Sequence, residues 1–217
     1  MTESRVDRER DLDRFLTFID AIVAIAITLL VLPLAEAATE VGAGSVGDLL
    51  RDNDDKLLAF FLSFLSFLSF IVIAQLWMSQ HHIVSGLVVQ NTLVTRLLLA
   101  WTLTIVFLPF PTALVAEVSD DPATKVLYIG TMALSSALLA LLAWATGRDR
   151  SLRDTDRRPD RAQAAGAVVG FVLALAITLT FPATGYYPLL LLLLADPAVR
   201  AWRQARGGRK RTAHMGE

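Results

Sequence analysis

The stretch RFLTFIDAIVAIAITLLVLPL, from Arg14 to Leu34, decides how this chain folds. An α-helix needs about 20 residues to cross the hydrocarbon core of a bilayer, and this stretch has that length. It nevertheless carries an acid, Asp20, about a third of the way along. Because a carboxylate is costly to bury inside an apolar span, it usually marks a functional position. The stretch therefore predicts a transmembrane helix with a specific role.

Helical periodicity divides this segment into faces. One continuous stripe is formed by Phe18, Ile22, Ile25, Leu29 and Leu32, with Thr28 on its flank. Asp20 is five residues before Ile25, which places it about 140° away around the helix. Two interpretations remain open from periodicity. The stripe faces lipid or a neighbouring helix and Asp20 is a structural acid, or the stripe lines a pore and Asp20 holds the helix from behind.

The composition assigns the whole chain to the membrane class. Hydrophobic residues make up 54% of the 217 residues, and five further apolar stretches follow the first. We therefore predict an all-α integral membrane protein. The absence of Cys excludes disulfides and thiolate metal sites. No cleavable signal precedes the first span, so we expect that helix to direct its own insertion.

We predict a short polar arm at 1–13, a single six-helix transmembrane domain at 14–204 and a basic tail at 205–217. Asp11 or Asp13 is expected to cap the first helix. The spans are predicted at about 14–34, 57–85, 92–118, 123–146, 162–181 and 186–202. Pro109 and Pro111 predict a kink or a break in the third span.

The distribution of basic residues predicts the orientation. Sixteen of the twenty Lys and Arg residues lie in the segment up to Arg14, in the loop at 148–161 and in the tail from Arg200. The positive-inside rule then places both termini in the cytoplasm. The outer loops carry the excess acid, so the external mouth is expected to concentrate cations.

The end of the second span contains Trp77, His81 and His82 in the sequence WMSQHH. Trp77 and His81 are one turn apart and share a face. If the first two helices are antiparallel, Asp20 lies at the level of Trp77 and His81, where an indole N–H and an imidazole can hydrogen-bond its carboxylate. Adjacent histidines point about 100° apart, so they are a poor pair of metal ligands.

Two patterns of small residues indicate helix packing. One is a serine every three residues in the second span, and the other is a ladder at four-residue steps in the fifth. These residues are Ser63, Ser66 and Ser69, and Ala162, Gly166, Gly170 and Ala174.

The segment Arg14-x-x-x-Phe18-Ile19-Asp20-Ala21, followed by IVAIAITLLVLPL, resembles the RxxxFSDA first-helix signature of the endosomal and lysosomal potassium channel family in its prokaryotic form. Three later features also resemble conserved positions of this family. They are Trp77-x-x-x-His81-His82, Asn91 and Pro109-Phe110-Pro111-Thr112. The resemblance covers roughly residues 14–115, and the last three spans agree in number and length. One departure is Ile19, which stands where the signature has serine.

The resemblance implies a homotetrameric potassium channel of the bacterial plasma membrane, in which the first helix of each six-helix subunit lines a central pore. By position, the pore-lining and selectivity residues are Ile25, Thr28, Leu29 and Leu32. The residues that support the pore helix are Arg14, Phe18, Asp20, Trp77 and His81. Partners are then other copies of the chain, the lipid bilayer and monovalent cations, with potassium as the permeant ion. No cofactor, resident metal, catalytic residue or nucleic acid is expected.

Other functions remain as alternatives. No TVGYG-like filter loop occurs in the chain, which agrees with this family's use of side-chain rings. A secondary transporter coupled to protons or cations is the main alternative, although the last three spans contain no counterpart of Asp20 or of the Trp77 and His81 pair. A purely structural subunit is a further alternative. An enzyme is disfavoured because His81 has no nucleophile in a GxSxG-like setting.

Overall fold

A computed structural model describes the backbone of residues 5–32, 53–85, 87–88, 91–117, 121–148 and 161–181. The described side chains are those of 10–32, 67–85, 87–88, 91–115, 121–148 and 164–181. The described residues form helices and turns and contain no β-strand, as predicted for an all-α protein. The predicted sixth span at 186–202 and the basic tail at 205–217 lie outside them.

Helices lie at each of the first five predicted spans. They are α1 Arg5–Leu29, α2 Asn53–Val84, α3 Thr92–Phe107, α4 Pro109–Glu117, α5 Pro122–Arg148 and α6 Arg161–Thr180. Within the described residues, three stretches are long and apolar enough to cross a membrane, namely Phe67–Val84, Thr92–Val115 and Pro122–Arg148. The chain therefore has the composition and the helix lengths of a helical membrane protein.

The predicted start of the first helix is wrong. We expected a polar arm before a cap at Asp11 or Asp13, whereas α1 begins at Arg5. The reason is that nothing in this segment stops a helix, since neither Pro nor Gly occurs between Arg5 and Leu29. Charged residues end the apolar part of a helix but do not end the helix itself.

The end of α1 also differs from the prediction, which extended the first span to Leu34. The helix ends at Leu29, and a turn follows in which Leu30 N donates to Ile27 O at 3.3 Å and Val31 N to Thr28 O at 3.1 Å. Such i to i−3 bonds commonly tighten the last turn of a helix. Among the described residues, α1 is not one of the three stretches above, and Pro33 and Leu34 at the end of the predicted span lie outside the described residues.

The third predicted span is broken in two at Leu108, as the two prolines predicted. Pro109 and Pro111 have no backbone N–H, so the carbonyls one turn earlier lose their usual donors. At the break, Leu108 N donates to Thr104 O at 3.1 Å and to Ile105 O at 3.3 Å. The ladder resumes where Thr112 N donates to Leu108 O at 3.2 Å.

Side-chain caps fix where α3 and α5 begin. The Asn91 side chain accepts a hydrogen bond from Val94 N at 2.8 Å, so this residue is the N-cap of α3. Asp121 Oδ2 accepts one from Thr124 N at 3.0 Å, and Pro122 occupies the first position of α5. Asn91, which resembles a family landmark, thus has a structural explanation in its own helix.

The helices pack around α5. The most extensive contact is between α5 and α6, the next is between α5 and α3, and α5 also touches α2 and α4. The first helix lies at the edge of this group, packed on α3 and more lightly on α2 and α4. This edge position leaves a large part of α1 uncovered by the other described helices.

The described positions of the small-residue ladder in α6 differ in burial. Ala174 is buried, but Gly166 is exposed, and a Cβ added to it would have no neighbour within 4 Å. The expectation of close packing along the whole ladder therefore does not hold at Gly166 within one chain.

Candidate functional site

The first helix has two faces of different character. The residues of its buried face are spaced three, four or seven positions apart, as expected for one side of a helix. They are Leu12, Ile19, Val23, Ala26 and Leu30. The opposite face is apolar but exposed in the single chain. Its large members are Phe18, Ile25, Leu29 and Leu32, exposed by 56%, 61%, 45% and 51%. Helix α1 thus offers a broad apolar surface that no other part of the described chain covers.

Thr28 is exposed on this surface, within an otherwise apolar stripe. Its Oγ1 donates to the carbonyl of Ile25, one turn earlier, at 2.7 Å. Since the single hydroxyl hydrogen is directed at the backbone, the oxygen lone pairs face away from it. Thr28 can therefore present an oxygen to a cation without first losing a hydrogen bond.

Asp20 is held from the side by the second helix. Trp77 Nε1 donates to Asp20 Oδ1 at 2.8 Å, and both residues are partly buried. The indole N–H can only donate a hydrogen bond, and a carboxylate oxygen can accept one, so the two groups satisfy each other. This bond connects α1 to α2 and fixes the level of one helix against the other.

His81 joins this group through the ring of Trp77. The two ring centroids are 5.8 Å apart, with an interplanar angle of 34°, as expected for aromatic residues one turn apart. His81 and His82 are both exposed at the end of α2. The structure therefore brings together three of the predicted support residues, in the order Asp20, Trp77 and His81.

The other two predicted support residues, Arg14 and Phe18, are exposed in the single chain. Phe18 lies on the exposed face of α1 with Ile25, so no other described part of the chain packs against it. Ile19 is completely buried in the bundle. A branched apolar side chain fits that environment without the hydrogen-bond partner that serine would need.

A second polar cluster was not predicted as a site. Ser69 Oγ on α2 lies 2.7 Å from Tyr128 Oη on α5 and 3.2 Å from Thr112 Oγ1 on α4, and all three residues are buried. Sequence analysis assigned Ser69 to packing, and nothing in the sequence marks Tyr128. Only the fold brings together residues separated by 43 and 59 positions.

The described side chains contain no group of three His, Asp or Glu residues that could hold a metal ion. Polar groups on the uncovered face of α1 are few, and Asp20 is engaged by Trp77.

The N-terminal helices carry a family relationship. Residues 14–109 match the model of the endosomal/lysosomal potassium channel TMEM175 family. The match confirms the family resemblance predicted from the first helix. A search of curated proteins found no match to the chain.

The TMEM175 match covers α1, α2, α3 and the start of the break at Pro109. It therefore includes the exposed stripe of α1 and the bond between Asp20 and Trp77. It excludes Thr112 and Tyr128 of the hydroxyl cluster. Over residues 14–109, the chain is thus similar to a family of potassium channels.

Proposed function

We propose that the chain is one subunit of a potassium-permeable channel in which α1 lines a central pore. The observation that carries this proposal is the uncovered apolar face of α1 within the segment that matches the TMEM175 family. Four copies around one axis would cover this face with its own equivalents. The proposed pore-lining residues are Ile25, Thr28, Leu29 and Leu32.

Symmetry turns each of these residues into a ring. Ile25, Leu29 and Leu32 would form three apolar collars, which exclude water and block ions when they are narrow. Thr28 would form a ring of oxygens between the first and second collars, able to contact a partly dehydrated cation. Small movements of α1 would then open or close the path, with modest discrimination between potassium and sodium.

Asp20 would hold α1 in place. Its bond to Trp77 joins the pore helix to α2, and His81 packs on the same indole ring. Arg14 and Phe18 are proposed to complete this support against a neighbouring subunit, because they are exposed in the single chain. None of these residues needs to contact the permeant ion.

The proposed setting is the bacterial plasma membrane with both termini in the cytoplasm. The acidic outer loops would then lie at the external mouth and raise the local concentration of cations. The proposed partners are three further copies of the chain, lipid and monovalent cations. No cofactor is proposed, because the side-chain rings supply the path.

Purified protein in liposomes tests this proposal through potassium and sodium flux. We expect Ile25→Asn to raise the flux and to weaken the preference for potassium, because an amide ring wets the first collar. Val31→Asn is the matched control, since Val31 is 52% exposed but lies about 120° around the helix from Ile25. Equal effects of the two substitutions would remove Ile25 from the path.

Reversal potentials in a planar bilayer separate the channel from the transporter alternative. A channel follows the gradient of the permeant ion alone, whereas a coupled transporter responds to the gradient of a second solute as well. A dependence of the reversal potential on a coupled solute would contradict the proposal.

A further inference from the structure

Ser69, Thr112 and Tyr128 form a buried polar cluster inside an apolar bundle. Their exposed fractions are 0%, 3% and 0%, so bulk water does not reach them. Each comes from a different helix, and the cluster therefore joins α2, α4 and α5. A polar group buried this deeply destabilises the fold when it lacks a hydrogen-bond partner, so the bonds among the three hydroxyls stabilise the packing of these helices.

The donors of this cluster can be assigned. Thr112 Oγ1 donates to the carbonyl of Leu108 at 2.9 Å, which uses its only hydrogen. Ser69 must then donate to Thr112, and the Tyr128 hydroxyl donates to Ser69. The result is a directed chain of hydrogen bonds that ends on Leu108, the residue at which α3 breaks into α4.

The position of the cluster along the pore helix follows from the bond between Asp20 and Trp77. Ser69 precedes Trp77 by eight residues on α2, and Thr28 follows Asp20 by eight residues on α1. Both separations correspond to about 12 Å of helix rise. We infer antiparallel packing of α1 and α2, because parallel packing would set the charges near Arg14 beside the apolar residues near Phe70. The cluster then lies level with Thr28.

We propose that Ser69, Thr112 and Tyr128 are positioning residues that fix α4 and, through α4, the outer end of the pore helix. The effect of this positioning on ion flux rests on the proposed function, in which Leu29 and Leu32 line the path, whereas the positioning of α1 itself is measured independently of flux. Helix α4 touches α1 directly, as well as α2 and α5. The hydroxyl chain sets the angle of α4 at the break after Leu108, and α4 supports the segment of α1 that carries Leu29 and Leu32.

The break makes this arrangement adjustable. Missing donors at Pro109 and Pro111 weaken the backbone ladder between α3 and α4, so the backbone alone does not fix their angle. Once one hydroxyl is removed, α4 can pivot at Leu108, and α1 loses its support at the outer end. The inner end of α1 keeps its bond to Trp77 and should not move.

Spin labels measure this movement directly. The natural chain contains no Cys, so labels attach only where Cys is introduced. The outer pair is Leu32→Cys with Leu134→Cys, and the inner pair is Ala21→Cys with Leu141→Cys, all at exposed positions. Dilution with unlabelled protein restricts the measured distances to one chain and makes them independent of oligomeric state.

We expect Thr112→Val and Tyr128→Phe each to shift the outer distance by about 1–2 Å or to broaden it, the scale of helix movements in known switches. The inner distance should stay unchanged. Thr112→Ser, which retains the hydroxyl, should restore the natural distance. Thr131→Val is the matched control, because Thr131 Oγ1 donates only within its own helix, to Leu127 O at 2.6 Å.

The outcomes separate this inference from the proposed function. An outer distance unchanged in both variants overturns the inference, and so does an equal shift of both pairs or a failure of Thr112→Ser to restore it. An outer shift accompanied by a several-fold change in potassium flux supports both proposals. An outer shift with unaltered flux leaves the positioning role intact and shows that Leu29 and Leu32 do not line the path.

Discussion

At the scale of single residues, the bond between Asp20 and Trp77 is the contact that most directly limits the position of α1. Hydrogen bonds to charged groups contribute about 1.5–3 kcal/mol, and removal of one partner leaves the other unsatisfied. We expect Trp77→Phe to lower the free energy of unfolding in detergent by about this amount. Asp20→Asn should lower the free energy of unfolding by a smaller amount, because the amide oxygen of Asn can still accept the hydrogen bond from Trp77.

A double-mutant cycle measures their coupling. The decrease in the free energy of unfolding should be smaller in the variant that combines Asp20→Asn with Trp77→Phe than the sum of the decreases in the two single variants. We expect a difference of about 1 kcal/mol or more. Asp20→Asn combined with Trp144→Phe is the control, because Trp144 is an exposed residue of α5 that lies against Arg148. Additivity between Asp20 and Trp77 would show that their bond contributes nothing to stability in the folded protein.

Some residues of this site were predictable from the sequence, and others were not. Asp20 and Trp77 could be placed at one level because helix rise converts residue numbers into depth. The same arithmetic could not tell whether His81 reaches Asp20 itself or packs on Trp77, because that depends on side-chain torsions. The uncovered stripe of α1 followed from periodicity alone, but Tyr128 needed the fold, since no local pattern connects it with Ser69.

At the scale of helices, the ladder of α6 makes contrasting predictions for two of its positions. Gly166 is exposed and has room for a Cβ, so Gly166→Ala should leave the free energy of unfolding unchanged or raise it by up to about 1 kcal/mol. Ala174 is 2% exposed, and Ala174→Leu should lower it by about 1–3 kcal/mol through overpacking. Denaturation in detergent checks both values.

A marked loss of stability in Gly166→Ala would indicate that this position is in close contact after all, in an assembly of several chains. A neutral Ala174→Leu would contradict the packing of α6 in the bundle. Comparing detergent with conditions that dissociate oligomers separates contacts within one chain from contacts between chains.

Helix boundaries were predictable where the chain carries a specific stop or start. The prolines at 109 and 111 predicted the break, and α3 begins at Thr92, where its span was expected. The start of α1 was missed because a loss of hydrophobicity was treated as the end of a helix. Backbone hydrogen bonds do not depend on the polarity of side chains, so a helix can continue into charged sequence until Pro, Gly or a cap intervenes.

At the scale of the whole molecule, the exposed apolar face of α1 is not covered by any other described part of the chain. A large apolar surface that remains uncovered marks a contact with lipid or with another chain, and periodicity cannot distinguish the two. The family match favours the second, because its members are potassium channels and a path for ions needs a surface shared between helices. The proposed four-fold arrangement thus explains why α1 lies at the edge of its own bundle.

Cross-linking tests this arrangement without a flux assay. We expect Leu32→Cys, in an otherwise cysteine-free chain, to give covalently linked pairs of chains with a short bismaleimide, because four-fold symmetry brings the outer ends of α1 together at the axis. Leu103→Cys is the control, since Leu103 is 68% exposed on α3 but lies outside the proposed ring. Efficient linkage at Leu103 with none at Leu32 would place α1 against lipid and remove it from the pore, because side chains around a narrow axis cannot remain out of reach of one another.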